Sequence, residues 1–228
     1  MSKLVQLVHD NLGTILEHRY EIEWKADGSP VTQADFFIEE LISKALRLHF
    51  PDVFIIGEES YREKRTPDHG YIAVIDPIDG TENFCSGLKE WGVAFSLWKD
   101  RSHLGSLLLM PELSDMLMTG QTVIPLRSRI EGLSSSMNED IRNRLAKTGE
   151  YRIIGCSVYN LFNVIRGAYA QFSNPKGAYI WDILPGLMLA LEHNCEVNVN
   201  EKPFNGEFLD PNQRHRIHIQ HRHDLHSR

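Results

Sequence analysis

The sequence predicts an α/β protein, because short apolar runs of strand length that end on acidic residues alternate with segments of helical periodicity. Val53 to Ile56 and Tyr71 to Ile75 are rich in β-branched and aromatic residues and lead into Glu58 and Asp76. Trp181-Asp182 opens a further helical segment. With 228 residues, 42% hydrophobic and 24% charged, the chain can bury a substantial core as one large domain or two small, closely packed ones.

Leu4, Leu7, Val8, Leu12, Ile15 and Leu16 recur at helical spacing, so one amphipathic helix is expected over residues 3–18. Lys25-Ala26-Asp27-Gly28-Ser29-Pro30 is turn-rich and stops it. A second helix starts near Thr32, buries Ile38, Leu41, Ile42, Ala45 and Leu48 along one stripe, and ends before Pro51. The two strands before Glu58 and Asp76 follow. Trp91 to Trp98, His103 to Met110 and Asp115 to Thr119 then read as an antiparallel meander, with turn signals at Pro111-Glu112 and Gly120.

Ser134-Ser135-Ser136 and the charged run from Asn138 to Lys147 mark a soft boundary, dividing one compact unit into residues 1–136 and 137–228. In the second half, Arg152-Ile153-Ile154 reads as a strand, Ser157 to Ala170 as a helix, and Tyr179-Ile180 as a strand end leading into Asp182. Ile183, Leu187, Ala190 and Leu191 give the next helix its apolar face. Arg216 to Gln220 reads as a last edge strand with a frayed tail. His215, His218, His221, His223 and His226 cluster there and read as a polar terminus without a function, adventitious zinc or nickel binding being the alternative.

Composition excludes several classes. A formal net charge of -7 argues against a nucleic-acid binder, which needs a basic surface. No apolar run is long enough to span a membrane, and the start lacks the apolar stretch of a signal peptide, so a soluble cytoplasmic protein is expected. Cys85, Cys156 and Cys195 are odd in number and far apart, which suggests free thiols.

The chemistry is concentrated in Asp76-Pro77-Ile78-Asp79-Gly80-Thr81. A tight turn directly after a strand lets Asp76 and Asp79 point to one side with a backbone carbonyl between them, an oxygen set that suits a hard cation. Glu58 arrives beside Asp76 if the two strands are neighbours, and a metal relieves the repulsion of carboxylates buried together. Each motif taken singly has a plainer reading: an ordinary turn, a solvated pair at Glu58-Glu59, or a helix cap at Asp182 and at Thr32 to Asp35.

Together, Ser29-Pro30-Val31-Thr32-Gln33-Ala34-Asp35, Gly57-Glu58-Glu59-Ser60, Asp76-Pro77-Ile78-Asp79-Gly80-Thr81 and Trp181-Asp182-Ile183-Leu184-Pro185-Gly186 resemble the inositol monophosphatase family, in the family's order. The resemblance implies a layered α/β/α/β/α sandwich, often dimeric and inhibited by lithium, that hydrolyses a small phosphorylated metabolite with two to three Mg2+ ions. By position, Glu58, Asp76 and the carbonyl of Ile78 match one metal site. Asp76, Asp79 and Asp182 match a second, and a third, weaker ion falls near Glu58. Asp35 and Thr81 match the residues that orient and activate the attacking water, with Glu58 also in the catalytic set. Asp79, Gly80, Thr81, Gly155, Cys156, Ser157 and Asp182 match the substrate region.

The residues support that chemistry in their own right. Phosphoryl transfer relies on positioning and charge neutralisation, and a carboxylate such as Asp35, linked through the Thr81 hydroxyl, can accept a proton from water. A helix starting near Thr81 or Asn83 offers N-H groups to phosphate. Inositol monophosphate or a related sugar phosphate is the expected substrate. Nucleotide 3'-phosphate, histidinol phosphate, a non-catalytic member of the fold and a structural calcium module are the alternatives. Relative to the family, Gln121 to Tyr151 is trimmed and Pro175 stands where inositol-handling members carry an acid. Asn174 and Lys176 read as solvated loop residues, contact with a leaving group other than inositol being the alternative, and Asn194-Cys195 replaces a glycine pair.

Overall fold

Three layers of helix enclose two large sheets, beside a small two-stranded one. The computed structural model describes residues 1–63 and 65–222. The order is α1 (Ser2–Asp10), α2 (Leu12–Glu17), β1 (Ile22–Trp24), β2 (Pro30–Thr32), α3 (Gln33–Arg47), β3 (Phe54–Gly57), β4 (Tyr71–Asp79), α4 (Thr81–Cys85), β5 (Gly92–Lys99), β6 (Ser102–Met110) and β7 (Asp115–Met118). The chain continues through β8 (Ile130–Leu133), α5 (Glu139–Leu145), β9 (Glu150–Arg152), α6 (Ser157–Ile165), β10 (Gln171–Ala178), α7 (Ile180–Glu192), β11 (Glu196–Val199), β12 (Lys202–Pro203) and β13 (His215–Gln220).

The first sheet has the order β3-β4-β5-β6-β7, and the second has the order β12-β11-β13-β10-β8-β9. Alternation along β4 shows how the layers form. Ala73 and Ile75 pack with Leu4, Val8, Ile15, Ile38 and Ile42 of α1, α2 and α3, while Ile72 and Val74 pack with Leu161, Leu184 and Leu187 of α6 and α7. The inner face of the second sheet, with Phe172, Val197 and Ile219, closes on the same helices. On its far face, Ser173, Asn198 and His218 line a cavity with Asp140, Ile141 and Arg144 of α5. The result is the expected α/β/α/β/α layering.

Strand order delivers the acids. β3 and β4 are parallel with Gly57 opposite Ile75, so Glu58 and Asp76 leave adjacent strands side by side. β4 pairs antiparallel with β5, and its register shifts between Asp76 and Asp79. Asp76 to Asp79 is therefore a bulged continuation of the strand, where a turn directly after Ile75 was expected. The reversal waits for Gly80, at φ 83°.

Several expectations are corrected. The single helix over residues 3–18 is two, broken at Asn11, whose Nδ2 donates to the Leu7 carbonyl at 2.8 Å. Leu48 is 82% exposed because α3 ends at Arg47, and Leu46 takes its place in the buried stripe. The strand expected at Arg152 to Ile154 ends at Arg152, the last residue paired with β8. α6 stops at Ile165, ahead of Gly167 at φ 74°.

Tyr179-Ile180 is not a strand end, since β10 finishes at Ala178 and Ile180 already belongs to α7. Asn174, expected to be a solvated loop residue, is buried within β10, where its Oδ1 accepts the Gly177 N-H. β13 is not an edge strand either, because it pairs with β10 on one side and β11 on the other. His215 and His218 lie in it, His221 is buried beyond it, and His223 and His226 lie outside the described residues.

Candidate active site

Three carboxylates converge at the ends of different elements. Glu58 follows β3, Asp76 sits near the end of β4, and Asp182 stands in the first turn of α7, with ligand oxygens all within 4.8 Å of one another. The Asp182 Oδ2 accepts the Tyr179 N-H at 2.8 Å, so helix capping and the site share one side chain. Among the described residues, neither buried oxygen of Asp76 finds a hydrogen-bond partner. Asp79 lies outside this threesome, and its Oδ2 accepts the Cys156 thiol at 3.1 Å and the Val158 N-H.

Burial dominates the electrostatics. It pushes Glu58 up to about 7, with Asp182 adding to the effect. Asp79 is also pushed up to about 7 by burial, against hydrogen bonds from Val158 and Cys156. Asp182 reaches about 7 through burial and the nearby Asp79, and Asp76 is raised well above the ordinary carboxyl range by burial and by Glu58. A fully buried carboxyl without a donor, surrounded by others that resist ionisation, fits a divalent cation with oxygen ligands. The donor set here is oxygen throughout, which suits magnesium.

The water-side residues come from the N-terminal ends of two other helices, α3 and α4. Thr32 caps α3, and both its N-H and its hydroxyl donate to the Asp35 Oδ2, at 2.8 and 2.6 Å. The other oxygen of Asp35 is 3.4 Å from the Thr81 Oγ1, which in turn lies 2.9 Å from the Ile78 carbonyl. Burial raises Asp35 to about 6, against the Thr32 hydrogen bonds. Gly80 is required between these parts, since a Cβ there would stand 3.0 Å from that of Cys156.

Beyond Asp182 a polar cavity of about 130 Å³ is lined by Ser134, Ser135, Gly155, Ser157, Asn174 and Arg214, among others. Cys156 contributes to its wall, but its thiol is buried and committed to Asp79 while its sulfur accepts the Tyr159 N-H at 3.3 Å. Asn83 ties the Gly155 segment to α4, donating to the carbonyls of Glu90 and Ile154 at 2.7 and 2.8 Å.

A model described as the inositol monophosphatase family matches residues 2–227. The chain belongs to that family. Among its relatives, an inositol-1-monophosphatase of Mesorhizobium japonicum is 24% identical over 196 residues, covering 75% of this chain and 73% of the relative. The bisphosphate nucleotidase CysQ of Haemophilus influenzae is 29% identical over 108 residues, covering 46% of this chain and 39% of its own. A histidinol-phosphatase of Chlorobaculum parvum is 35% identical over 92 residues, covering 40% and 35%. The matched segments thus span about two-fifths or less of those last two proteins' length.

The fold agrees with a solved Thermotoga maritima IMPase, with a TM-score of 0.77 at 23% identity over 97% of this chain and 92% of that one. It also agrees with an IMPase/NADP phosphatase solved with Mg2+ and phosphate, with a TM-score of 0.81 at 16% identity, covering 96% and 88%. Among the described residues no helix is long and apolar enough to cross a membrane.

Within this family fold, sequence reasoning missed several supporting residues. Lys25, in the turn between β1 and β2, donates to Glu58 at 2.9 Å and to Glu59 at 2.8 Å. Burial works against its charge, but Glu58 and Glu59 outweigh that and raise its pKa. Glu39 is buried one helical turn after Asp35, and its Oε2 accepts the Glu59 N-H at 2.9 Å. Its carboxylate fits because Gly57 has no side chain; a Cβ there would lie 2.3 Å from the Glu39 Cδ. The spacing of Asp35 and Glu39 on one helix face was the available signal for the latter. Ser134 to Ser136 and Arg214 carried none.

Proposed function

We infer that this chain hydrolyses a small phosphomonoester with the help of magnesium, inositol monophosphate or a related sugar phosphate being the expected class. The observation that carries this reading is the convergence of Glu58, Asp76 and Asp182, with the oxygens of Asp76 buried and without a donor. Those three residues would hold magnesium, with Asp79 and the Ile78 carbonyl completing two to three sites. Bound there, the ion supplies charge neutralisation at phosphate and a lowered pKa for water.

The chain's own residues do the rest. Thr32 fixes one oxygen of Asp35, which leaves the other facing the Thr81 hydroxyl. A Thr81 that donates its proton to Asp35 turns a lone pair outward to accept a proton from the attacking water. The raised pKa of Asp35, about 6, makes it a competent base near neutrality. In this reading the N-H groups around Gly80 and Thr81 would receive phosphate, and the Gly155 to Ser157 segment would border the leaving group.

A phosphate-release screen with magnesium over inositol 1-phosphate, fructose 1,6-bisphosphate, 3'-phosphoadenosine 5'-phosphate and histidinol phosphate tests the reading. At least one is turned over, and a chelator abolishes turnover reversibly. Failure of all of them rejects the substrate class. The same reading carries a homodimer and inhibition by lithium, tested by light scattering and by titrating activity with lithium chloride.

A further inference from the structure

The cavity beyond Asp182 holds one cation and, apart from Asp182, no acid. Arg214 is anchored at its rim, with Nη1 donating to the Gly177 carbonyl at 3.3 Å and the guanidinium 4.7 Å from the Tyr179 ring centroid. Among the described residues no carboxylate comes within ion-pair distance of it. Lys25, the other cation near the acids, is already neutralised by Glu58 and Glu59. Most of the guanidinium's donors are therefore uncommitted.

The remaining walls are neutral and mostly hydrogen-bonding, with Phe172 and Ala178 as their apolar part. Ser134, Ser135 and Ser136 bring hydroxyls from the end of β8. Asn160 donates through Nδ2 to the Cys156 carbonyl at 2.7 Å, while its buried Oδ1 accepts from no group among the described residues. Hydroxyls and amides suffice for an uncharged polyol, which would leave the free donors of the arginine unused. An anionic substituent engages it through charge-assisted, planar hydrogen bonds.

We propose that this cavity selects phosphomonoesters whose leaving group carries a second anionic group, a phosphate or a carboxylate, paired with Arg214. The proposal rests on hydrolysis taking place at the carboxylate cluster. Arg214 supplies local positive charge in a chain whose net charge is -7, so it is the group on this wall that can receive an anion. Tyr179, which stacks against Arg214, precedes the α7 helix that carries Asp182, so the anion site and the reacting end are held at a fixed separation.

The test uses two substrate pairs that differ only in the second anion: 3'-phosphoadenosine 5'-phosphate against adenosine 3'-monophosphate, and 2-phosphoglycerate against glycerol 2-phosphate. Steady-state hydrolysis with magnesium is measured for the native protein, Arg214→Gln and Arg214→Lys. Native kcat/KM favours the doubly anionic member of at least one pair by about tenfold or more, the scale of one charge-assisted contact at a partly solvated site. Arg214→Gln removes that preference mainly through KM, and Arg214→Lys keeps part of it. No preference in either pair, or one that survives Arg214→Gln, overturns the proposal. If the native protein hydrolyses none of the four substrates nor the earlier panel, the phosphatase reading itself fails and takes this one with it.

Discussion

Replacing Asp79 by asparagine should stabilise the metal-free protein, increasingly so as pH rises. Asp79 is buried, and burial moves its carboxyl from an ordinary 3.8 to about 7. A carboxyl raised in the folded state contributes stability that is complete below the unfolded pKa and is lost as pH climbs through the folded one. The loss amounts to about 4 kcal/mol by pH 8, of which about 3 kcal/mol falls between pH 5 and pH 8. Asparagine carries no charge to ionise. The Val158 N-H and the Cys156 thiol reach the same atom of Asp79, Oδ2, so an amide oxygen placed there keeps both satisfied.

The assay is thermal unfolding in EDTA at pH 5 and pH 8, comparing native and variant so that exposed groups cancel. For a chain of this size, 3 kcal/mol corresponds to a widening of the melting-temperature gap by roughly 6–12 °C in favour of Asp79→Asn. Magnesium at pH 8 should then raise the native midpoint above that in EDTA by mass action, with a smaller rise for the variant. A gap that stays constant between the two pH values, or that favours the native protein more at pH 8, refutes the reasoning.

Three further outcomes follow from the geometry. Thr81→Ala removes the hydroxyl between Asp35 and water, and kcat should fall by about 10²–10⁴-fold while calorimetric magnesium affinity changes little. Glu39→Ala orphans the partly buried Glu59 N-H, so the protein should lose about 1–3 kcal/mol in urea melts, and the loosened Glu58 should bind magnesium more weakly. Gly80→Ala forces a side chain into φ 83° and against the Cys156 Cβ, costing about 1–3 kcal/mol in the same melts; an unchanged midpoint would show that the β4 to α4 reversal tolerates it.

The acidic residues were legible because their signals are local. A β-branched run announces a strand that stops just before Glu58 or carries Asp76 near its end, and the Trp181-Asp182 pair opens a helix as read. The meander from Trp91 to Thr119 was equally plain, since each of its strands alternates or runs apolar between turn residues. What stayed hidden depends on distance. Lys25 reaches Glu58 across a separation of 33 residues, and nothing in a turn-rich stretch distinguishes that lysine from a solvated one.

β10 was obscured for a different reason. Asn174-Pro175-Lys176-Gly177 has the composition of a turn, yet pairing with β13 carries the strand to Ala178 through an irregular register. β13 itself looked like an edge because its polar residues His218 and Gln220 alternate with isoleucines, as at a solvated margin. Its second neighbour, β11, lies about twenty residues earlier in sequence, with no local mark of the pairing. The pocket residues Ser134 to Ser136 and Arg214 come together only once these strands are in register.

The central claim is that Glu58, Asp76 and Asp182 are one metal centre, and an anomalous difference map from crystals soaked in manganese tests it most directly. Manganese stands in for magnesium as a hard, oxygen-seeking divalent ion that can be located by its scattering. The expected result is a peak bonded to carboxylate oxygens of Asp76 and of Glu58 or Asp182, absent from Asp76→Asn crystals grown alike. A map without a peak at Asp76, in crystals where manganese is found on other carboxylates, would contradict it.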